Sequence, residues 1–207
     1  MRVTAEAKEA TRQTILDVSR ALLRDRGWAD VSTRDIAAAA GIANGTLFNY
    51  FPTKEAIVGA LVAEALHEAN AAPREPRPVE ERLFTLIAGG LRRLRPFRSF
   101  LPHVIDAILA PSDRTARSHD TDRIREEHLA EVEEIVGGAL TPVQRHLYWT
   151  LYSGVLTFWV RDASPKQEQT LALLDQSVAL FVASLERSSH ERRPATTPGR
   201  GSAPRGR

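Results

Sequence analysis

The sequence predicts an all-α protein of about nine helices, and three features of the chain favour this fold class. Apolar residues recur three or four positions apart along most of the chain, as they do on the buried face of a helix. No segment shows a convincing alternation of apolar and polar residues, so strands are not expected. Several prolines stand at or just before predicted helix starts, where the missing N–H costs nothing.

The first two predicted helices have clear ends. The first covers residues 5–26 and stops at Gly27, because glycine readily adopts the backbone conformation that closes a helix. The second covers residues 33–40. Ser32 provides its N-cap, and Asp35, three residues later, completes the pattern of a capping box.

Glycine and proline separate the remaining elements. Gly41 ends the second helix, and a short third helix over residues 44–50 ends before Pro52. A loop with three prolines is expected at residues 72–78. The later helices are predicted at residues 53–71, 79–94, 97–109, 114–137, 142–161 and 166–187.

Composition excludes several classes of protein. The chain has 43% apolar residues, which is enough for a helical core. It has no cysteine, so neither disulfides nor a thiolate metal site can hold the fold. No apolar run approaches the roughly 20 residues of a membrane span, and we expect a cytoplasmic protein without a membrane partner. His119 and His128 lie too far apart for an i, i+4 metal pair, so neither a metal nor a cofactor is expected.

Residues 33–52 have the residue types of a helix-turn-helix motif. Ala37 and Ala40 are small where two helices would cross, and Gly41 can adopt the positive φ of a sharp turn. Apolar residues occupy positions suited to holding the pair onto the first helix: Ile36, Ile42, Leu47 and Tyr50. The alternative interpretation is two short core helices in an ordinary bundle.

Residues 11–62 resemble the N-terminal domain of the TetR family of bacterial repressors. The matching segments are TRQTILDVSRALLRDRGW, STRDIAAAAGI and GTLFNYFPTKEAIVGAL. The family's Gly-Thr-Leu-aromatic-x-Tyr-Phe-x-x-Lys run is met here by Gly45, Thr46, Leu47, Phe48, Tyr50, Phe51 and Lys54. The resemblance implies a DNA-binding regulator. Nucleotide-binding loops, HExxH and GxSxG motifs are absent from the sequence, so an enzyme is not expected.

The resemblance places the helix at residues 44–50 in the DNA major groove. Asparagine suits an adenine edge, threonine suits a phosphate or a thymine methyl group, and glycine allows close approach. Tyr50 and Lys54 are expected to contact phosphates, and Thr33 and Arg34 are further phosphate or base candidates. The candidate DNA-binding residues are therefore Thr33, Arg34, Asn44, Gly45, Thr46, Phe48, Asn49, Tyr50 and Lys54.

Two positions depart from the family pattern. Most relatives carry serine where Ala43 stands, and the loss of that N-cap costs about 1 kcal/mol. Asn44 can cap one residue later, which would remove it from base contacts. Most relatives carry tyrosine at Phe48, so one phosphate contact is lost and the ring is left for sugar or methyl packing.

The last two predicted helices suit a dimer interface. The final helix has apolar residues at alternating spacings of three and four, and the helix before it is apolar on two faces. The resemblance implies a two-fold, four-helix interface, whereas the alternative is that both helices are internal core. The candidate interface residues are Leu147, Leu151, Leu171, Leu174, Val178, Phe181 and Leu185.

The resemblance also implies a small-molecule effector that releases the repressor from DNA. An apolar and aromatic set with a few polar groups favours a largely apolar or aromatic ligand. The candidate residues are Phe84, Ile87, His103, Ile124, His128, Trp149, Tyr152 and Leu156. An aromatic stripe is more often core, and His103 can equally be a solvated residue at a helix start. A regulator without an effector, or an activator, is the alternative.

Three parts of the chain are expected. Residues 1–54 form a helix-turn-helix domain that binds double-stranded DNA, and residues 55–187 form a regulatory and dimerisation domain. Residues 188–207 form a disordered basic tail, because they lack apolar residues to bury. A two-fold dimer implies an inverted-repeat operator.

Overall fold

The protein is all-helical in the part of the chain that its computed structural model describes, residues 4–67, 77–103, 105 and 119–191. The side chains of residues 67, 103, 119–122, 124 and 188–191 lie outside that description. These ranges contain eight α-helices and no strand. The helices are α1 (Ala5–Arg26), α2 (Thr33–Ala39), α3 (Asn44–Tyr50), α4 (Lys54–His67), α5 (Val79–Leu94), α6 (His119–Val136), α7 (Pro142–Trp159) and α8 (Glu168–Glu191).

Local signals set the ends of the first two helices as expected. Gly27 closes α1 with a φ of 83°, and its N–H donates to the Leu23 carbonyl. Ser32 and Asp35 form the capping box at the start of α2. The hydrogen bonds from Ser32 to the Asp35 carboxylate hold the pKa of that carboxyl below its usual value.

The segment after α5 differs from the continuous helix predicted over residues 97–109. Short 3-10 turns occupy residues 95–97 and 101–103 instead, and Pro96 and Pro102 lie within them. A proline inside an α-helix removes a hydrogen bond, which the tighter turns avoid. Residues 98–100, between these turns, are also not α-helical. The predicted helix beyond residue 103, apart from residue 105, lies outside the described residues, as do the predicted loop up to residue 76 and residues 192–207.

Helix α4 connects the two parts of the fold. It packs against α1 on one side and against α5 and α6 on the other. Arg20 of α1 donates a 2.7 Å hydrogen bond to Glu64 of α4, which adds an ion pair to this contact. Helix α4 is therefore in contact with both α1 and the C-terminal helices.

The C-terminal bundle is built on α5, α6, α7 and α8. Helix α8 packs against α7 and α5, and α6 packs against α4 and α5. Large apolar side chains fill the centre, among them Leu83, Trp159 and Phe181. None of the described helices is both long and apolar enough to cross a membrane.

Candidate nucleic-acid interface and bundle cavity

The turn between α2 and α3 is fixed by backbone geometry. Gly41 adopts a φ of 68°, which only glycine adopts without strain. The Ile42 N–H donates a 3.0 Å hydrogen bond to the Ala37 carbonyl, closing the turn. Ile36 and Leu47 are fully buried and hold the two helices onto the core, so the motif has the rigid support that a recognition helix needs.

Helix α3 presents one face to solvent. Gly45, Phe48 and Asn49 are exposed and lie on the side opposite the buried Leu47, as helical spacing requires. Phe48 is 44% exposed, so its side chain is accessible at this surface. Asn44, Thr46 and Tyr50 are partly buried at the edges of this face.

The first turn of α2 adds two more predicted residues to the exposed surface. Arg34 is exposed and Thr33 is partly buried, directly after the capped start of the helix. The uncapped start of α3 is also as expected, because Ala43 has the extended backbone of an N-cap but no side-chain hydrogen bond. Asn44 does not replace it, since its Oδ1 atom is buried and accepts no hydrogen bond from any described residue.

Lys54 does not have the free ammonium group expected of a phosphate contact. Its Nζ atom donates 2.8 Å hydrogen bonds to the carbonyl oxygens of Trp28 and Val31, and lies 3.9 Å from the centre of the Trp28 ring. Burial lowers the pKa of this ammonium. Two of its three N–H groups are thus used inside the protein, and Lys54 joins α4 to the loop before the helix-turn-helix.

A cavity lies between four helices of the bundle, and is called here the four-helix cavity. Its volume is about 30 Å³, room for a water molecule rather than a ligand. Four predicted effector residues line it: Ile87, His128, Trp149 and Tyr152. Ala63 and Leu66 of α4 form part of its wall. The cavity is therefore bounded by the helix that connects the two parts of the fold.

The other predicted effector residues are not among those lining the cavity. Leu156 is buried and Phe84 is partly buried against the core, so both serve as packing here. The side chains of His103 and Ile124 lie outside the described ones. Sequence reasoning missed Arg93 and Glu131, which do line the cavity. Arg93 lies on the same face of α5 as Leu86 and Gly90, at helical spacing. A charged residue on this otherwise apolar stripe was the sequence signal that could have identified it.

Polar groups of the four-helix cavity are poorly hydrogen-bonded. The Arg93 Nε and Trp149 Nε1 donors are buried and have no partner among the described residues. Burial lowers the pKa of Arg93, and it raises the pKa of the Glu131 carboxyl. These donors are available to an acceptor atom that enters the cavity.

His128 is held neutral beside the cavity. Its Nε2 atom lies 2.8 Å from the Tyr148 hydroxyl oxygen, and its ring centre is 4.7 Å from that of Tyr152. Burial lowers the pKa of His128 to about 4, with a smaller contribution from the charge of Arg93. Burial also raises the pKa of Tyr152 to about 12, so both rings are uncharged near neutral pH.

The predicted dimer residues divide into two groups. Leu174, Val178 and Phe181 are buried within one chain, so the heptad pattern of α8 marks its inward face and these three cannot form a free surface. Leu151 and Leu185 are partly buried against the same core. Leu147 and Leu171 are exposed.

The exposed apolar residues on α7 and α8 include two of the predicted dimer residues, Leu147 and Leu171, and others that were not predicted. Val143, Leu147 and Phe158 follow helical spacing along the outward side of α7, with an open position at Gly154. Leu180 of α8 is 62% exposed. The prediction had relied on the regular apolar spacing along α8. That spacing marks the inward face, because inward faces carry the most regular apolar pattern.

A helix-turn-helix with an exposed second helix, carried on a separate helical bundle, defines a DNA-binding transcriptional regulator. Residues 15–61 match the model of bacterial regulatory proteins of the tetR family. Residues 90–193 match the model of the tetracyclin repressor-like C-terminal domain. The chain belongs to the TetR family of transcriptional regulators, and it is accordingly a regulator and not an enzyme.

Curated relatives agree with this assignment. The HTH-type transcriptional repressor KstR2 of Rhodococcus jostii is 28% identical over 160 residues, which cover 76% of this chain and 69% of that protein. The HTH-type transcriptional regulator EthR of Mycobacterium tuberculosis is 41% identical over 58 residues, 28% of this chain and 27% of that one.

Solved structures share the fold. A TetR transcriptional regulator from Rhodococcus sp. RHA1 superposes with a TM-score of 0.68 at 16% identity, covering 86% of this chain and 98% of its own. Thermus thermophilus FadR, a TetR-family repressor solved in complex with lauroyl-CoA, superposes with a TM-score of 0.61 at 20% identity. The match covers 94% of this chain and 100% of that one.

Proposed function

We propose that this regulator is a ligand-responsive repressor that binds an inverted-repeat operator as a homodimer. The observation that carries the proposal is the composition of the four-helix cavity wall. Ala63 and Leu66 of α4 form part of that wall, and Lys54 at the start of α4 is bonded to the loop before the helix-turn-helix. One helix thus contacts both the candidate effector site and the candidate DNA-binding unit.

The small volume of the cavity supports a mechanism. Ligand sites for drug-sized molecules usually measure about 300–1,000 Å³, against about 30 Å³ here. An effector can enter only if the surrounding helices separate, and α4 is one of them. The movement of α4 then carries the helix-turn-helix with it, so two recognition helices in a dimer no longer match successive major grooves.

The exposed residues at α2 and α3 support the DNA-binding roles. Asn49 and Thr46 are the residues that we assign to base edges, and Arg34, Thr33 and Tyr50 are assigned to phosphates. Phe48 is suited to sugar or thymine-methyl packing, and Gly45 allows close approach. Asn44 remains a candidate because the residue is only partly buried at the start of α3, although its amide oxygen is buried.

The outward side of α7 supports the homodimer. Val143, Leu147 and Phe158 form an exposed apolar stripe on α7. Such a stripe is typical of a surface that a partner covers. A second copy related by a two-fold axis would cover the same stripe on both chains. The effector is expected to be small and largely apolar or aromatic, with an acceptor group for Arg93.

A regulator that has no small-molecule effector is the second candidate, and an activator remains an alternative to a repressor. The small volume of the four-helix cavity favours the regulator without an effector. In that case water would accept hydrogen bonds from the Arg93 Nε and Trp149 Nε1 donors. A protein partner would then control DNA binding. We also propose the division into residues 1–54, 55–187 and 188–207, with α4 beginning at the first boundary and α8 continuing past the second as far as Glu191.

The test is a gel-shift experiment on the intergenic DNA that flanks the gene. The proposal predicts a sequence-selective complex whose affinity falls steeply with salt. Aromatic and aliphatic acids added to that complex should include molecules that release the DNA. A complex that no such molecule releases favours the effector-free regulator, and no selective complex at all contradicts DNA-binding regulation at this locus.

A further inference from the structure

A second cavity lies on another side of α5, and we propose that it binds a small amphipathic anion. This cationic cavity has a volume of about 210 Å³, several times larger than the four-helix cavity. It is bounded by α5, the end of α7, the turn at residues 165–167 and the start of α8. The expected ligand carries a phosphate or carboxylate group on an apolar or aromatic body.

Three positive charges surround the cationic cavity. Arg92 comes from α5, Arg95 from the 3-10 turn that follows it, and Lys166 from the turn before α8. None of the lining residues is acidic, and none of these three cations forms an ion pair with a described residue. Uncompensated cations around one concave site attract an anion, and arginine pairs with phosphate or carboxylate in a two-bond geometry.

Two acids flank the turn in sequence. Glu168, the first residue of α8, is exposed and does not line the cavity. Asp162, three residues before the turn, is buried and already hydrogen-bonded. The Asp162 carboxylate accepts hydrogen bonds from the Ser164 N–H at 2.8 Å, the Thr170 N–H at 3.0 Å and the Thr170 hydroxyl at 2.5 Å. These bonds hold the pKa of Asp162 well below its usual value. The carboxylate therefore secures the turn, and its oxygens are not free to receive the three cations.

The floor of the cationic cavity is apolar. Leu91 and Trp159 are buried and line it, together with Ala88. The Trp159 Nε1 atom donates a 3.1 Å hydrogen bond to Gln167, so the polar edge of the indole is satisfied. Leu171, predicted as a dimer residue, also lines this cavity. An apolar ligand body can pack on this floor while its charged group meets the cations at the rim.

The turn that carries Lys166 has a strained backbone. Lys166 and Gln167 have φ values of 51° and 59°, in the left-handed region that favours glycine. The bonds of Asp162 and the Trp159–Gln167 bond hold the turn in place. Strained residues of this kind concentrate at ligand sites, where the surrounding structure maintains them. Here the strain brings a lysine to the wall of the cavity.

The charges of the two cavities meet on α5. Arg92 Nη2 and Arg93 Nη1 lie 3.7 and 3.4 Å from the point where a Cβ atom on Gly89 would stand. Arg93 lines the four-helix cavity and Arg92 lines the cationic cavity. An anion bound beside Arg92 would reduce the repulsion between these neighbouring guanidinium groups. The proposal does not depend on DNA binding or on the four-helix cavity binding an effector.

Isothermal titration calorimetry of the full chain tests the proposal with four probes: phenyl phosphate, benzoate, inorganic phosphate and benzyl alcohol. Phenyl phosphate, benzoate or both should bind, and the pair of affinities shows which acid is preferred. Inorganic phosphate and benzyl alcohol, which each carry half of the expected chemistry, should bind at least about tenfold more weakly. Equal affinity for phenyl phosphate and inorganic phosphate would show that the apolar floor does not contribute to binding, and would overturn the proposal.

Matched variants locate the binding. The double variant Arg92→Gln/Arg95→Gln should weaken the binding of the aromatic acid at least about tenfold, and Lys166→Gln, a second route, should weaken it in the same direction. Arg187→Gln removes an exposed cation elsewhere on α8 and should leave the affinity unchanged. Absence of binding by both aromatic acids at 10 mM, roughly the weakest affinity worth assigning, contradicts the proposal. So does a loss caused by His128→Gln in the four-helix cavity but not by the double variant.

Discussion

The ammonium nitrogen of Lys54 lies 3.9 Å from the centre of the Trp28 ring, at the junction between α4 and the loop before α2. The same nitrogen donates hydrogen bonds to the carbonyl oxygens of Trp28 and Val31. A cation over an indole ring is attracted by its negative face, and the two carbonyl bonds fix its position. The family's lysine thus has a positioning role in this chain: it secures the DNA-binding unit to the helix that lines the four-helix cavity.

Replacing Lys54 tests this role. The variant Lys54→Met keeps the length of the side chain but removes the charge and both hydrogen bonds. We expect the free energy of unfolding to fall by about 2 kcal/mol, because two charge-assisted bonds and one cation–π contact are lost. Urea unfolding followed by circular dichroism measures the change.

The salt dependence of DNA binding separates the two roles of Lys54. A phosphate contact would lower the slope of log affinity against log salt by about one unit when it is removed. We expect weaker DNA binding with an unchanged slope in Lys54→Met. Lys8→Met, at an exposed position of α1, is the control for stability. A lower slope with unchanged stability would restore the phosphate role.

The uncapped start of α3 can be repaired. Ala43 has φ −69° and ψ 146°, a conformation in which a serine hydroxyl can accept a hydrogen bond from the first turn. The variant Ala43→Ser should raise the free energy of unfolding by about 1 kcal/mol. Ala38→Ser, inside α2 and exposed, is the matched control and should lower it by about 0.5 kcal/mol. Equal effects of the two serines would show that capping is not limiting at Ala43.

Base recognition by Asn49 has its own signature. The variant Asn49→Ala should weaken binding to a selected operator by about 1–3 kcal/mol, while binding to unrelated duplex DNA should change little. Fluorescence anisotropy with the two duplexes measures both affinities. Gln169→Ala removes an exposed amide from α8 and should change neither. An equal loss on both duplexes would assign Asn49 to the DNA backbone.

The partly buried His128 predicts an acid-dependent stability. Since burial lowers the pKa of His128 from 6.5 to about 4 in the folded chain, the unfolded chain binds more protons between these values. Stability is therefore present above pH 6.5 and is lost as the pH falls toward about 4, by up to about 3 kcal/mol. His128→Gln should flatten this dependence in urea unfolding from pH 4 to 7.

Other groups also titrate in this range, so the comparison must be between variants. Burial raises the pKa of Glu131, and His128 is not among the causes of that shift, so the contribution of Glu131 should cancel in the difference. His146→Gln replaces an exposed histidine of α7 and should keep the parent's dependence. Identical pH profiles for the parent and His128→Gln would contradict the burial of a neutral His128.

The parts of the fold set by local chemistry were predictable from the sequence. The capping box of Ser32 and Asp35, the turn at Gly41 and the bounds of α3 each depend on residues within one turn of one another. Helix α8 begins two residues later than predicted, because the left-handed Lys166 and Gln167 interrupt it. Nothing in the residue types of that turn indicates a positive φ.

Long-range contacts account for what the sequence did not reveal. Lys54 and Trp28 are 26 positions apart, so only the assembled fold shows that the ammonium group is used internally. The spacing of Leu174, Val178 and Phe181 predicts one apolar face of α8 but not whether a second chain or the same chain covers it. Arg93 carried a visible signal, a charge on an apolar stripe, although its function depends on neighbours from three other helices.

Selection of bound duplexes from a random DNA pool tests the central claim most directly, namely that two copies of α3 are presented to DNA together. The account predicts enrichment of an inverted repeat whose half-site centres lie about one helical turn, roughly 10 base pairs, apart or at a multiple of it. Recovery of a single asymmetric half-site, or of no common sequence, would contradict it.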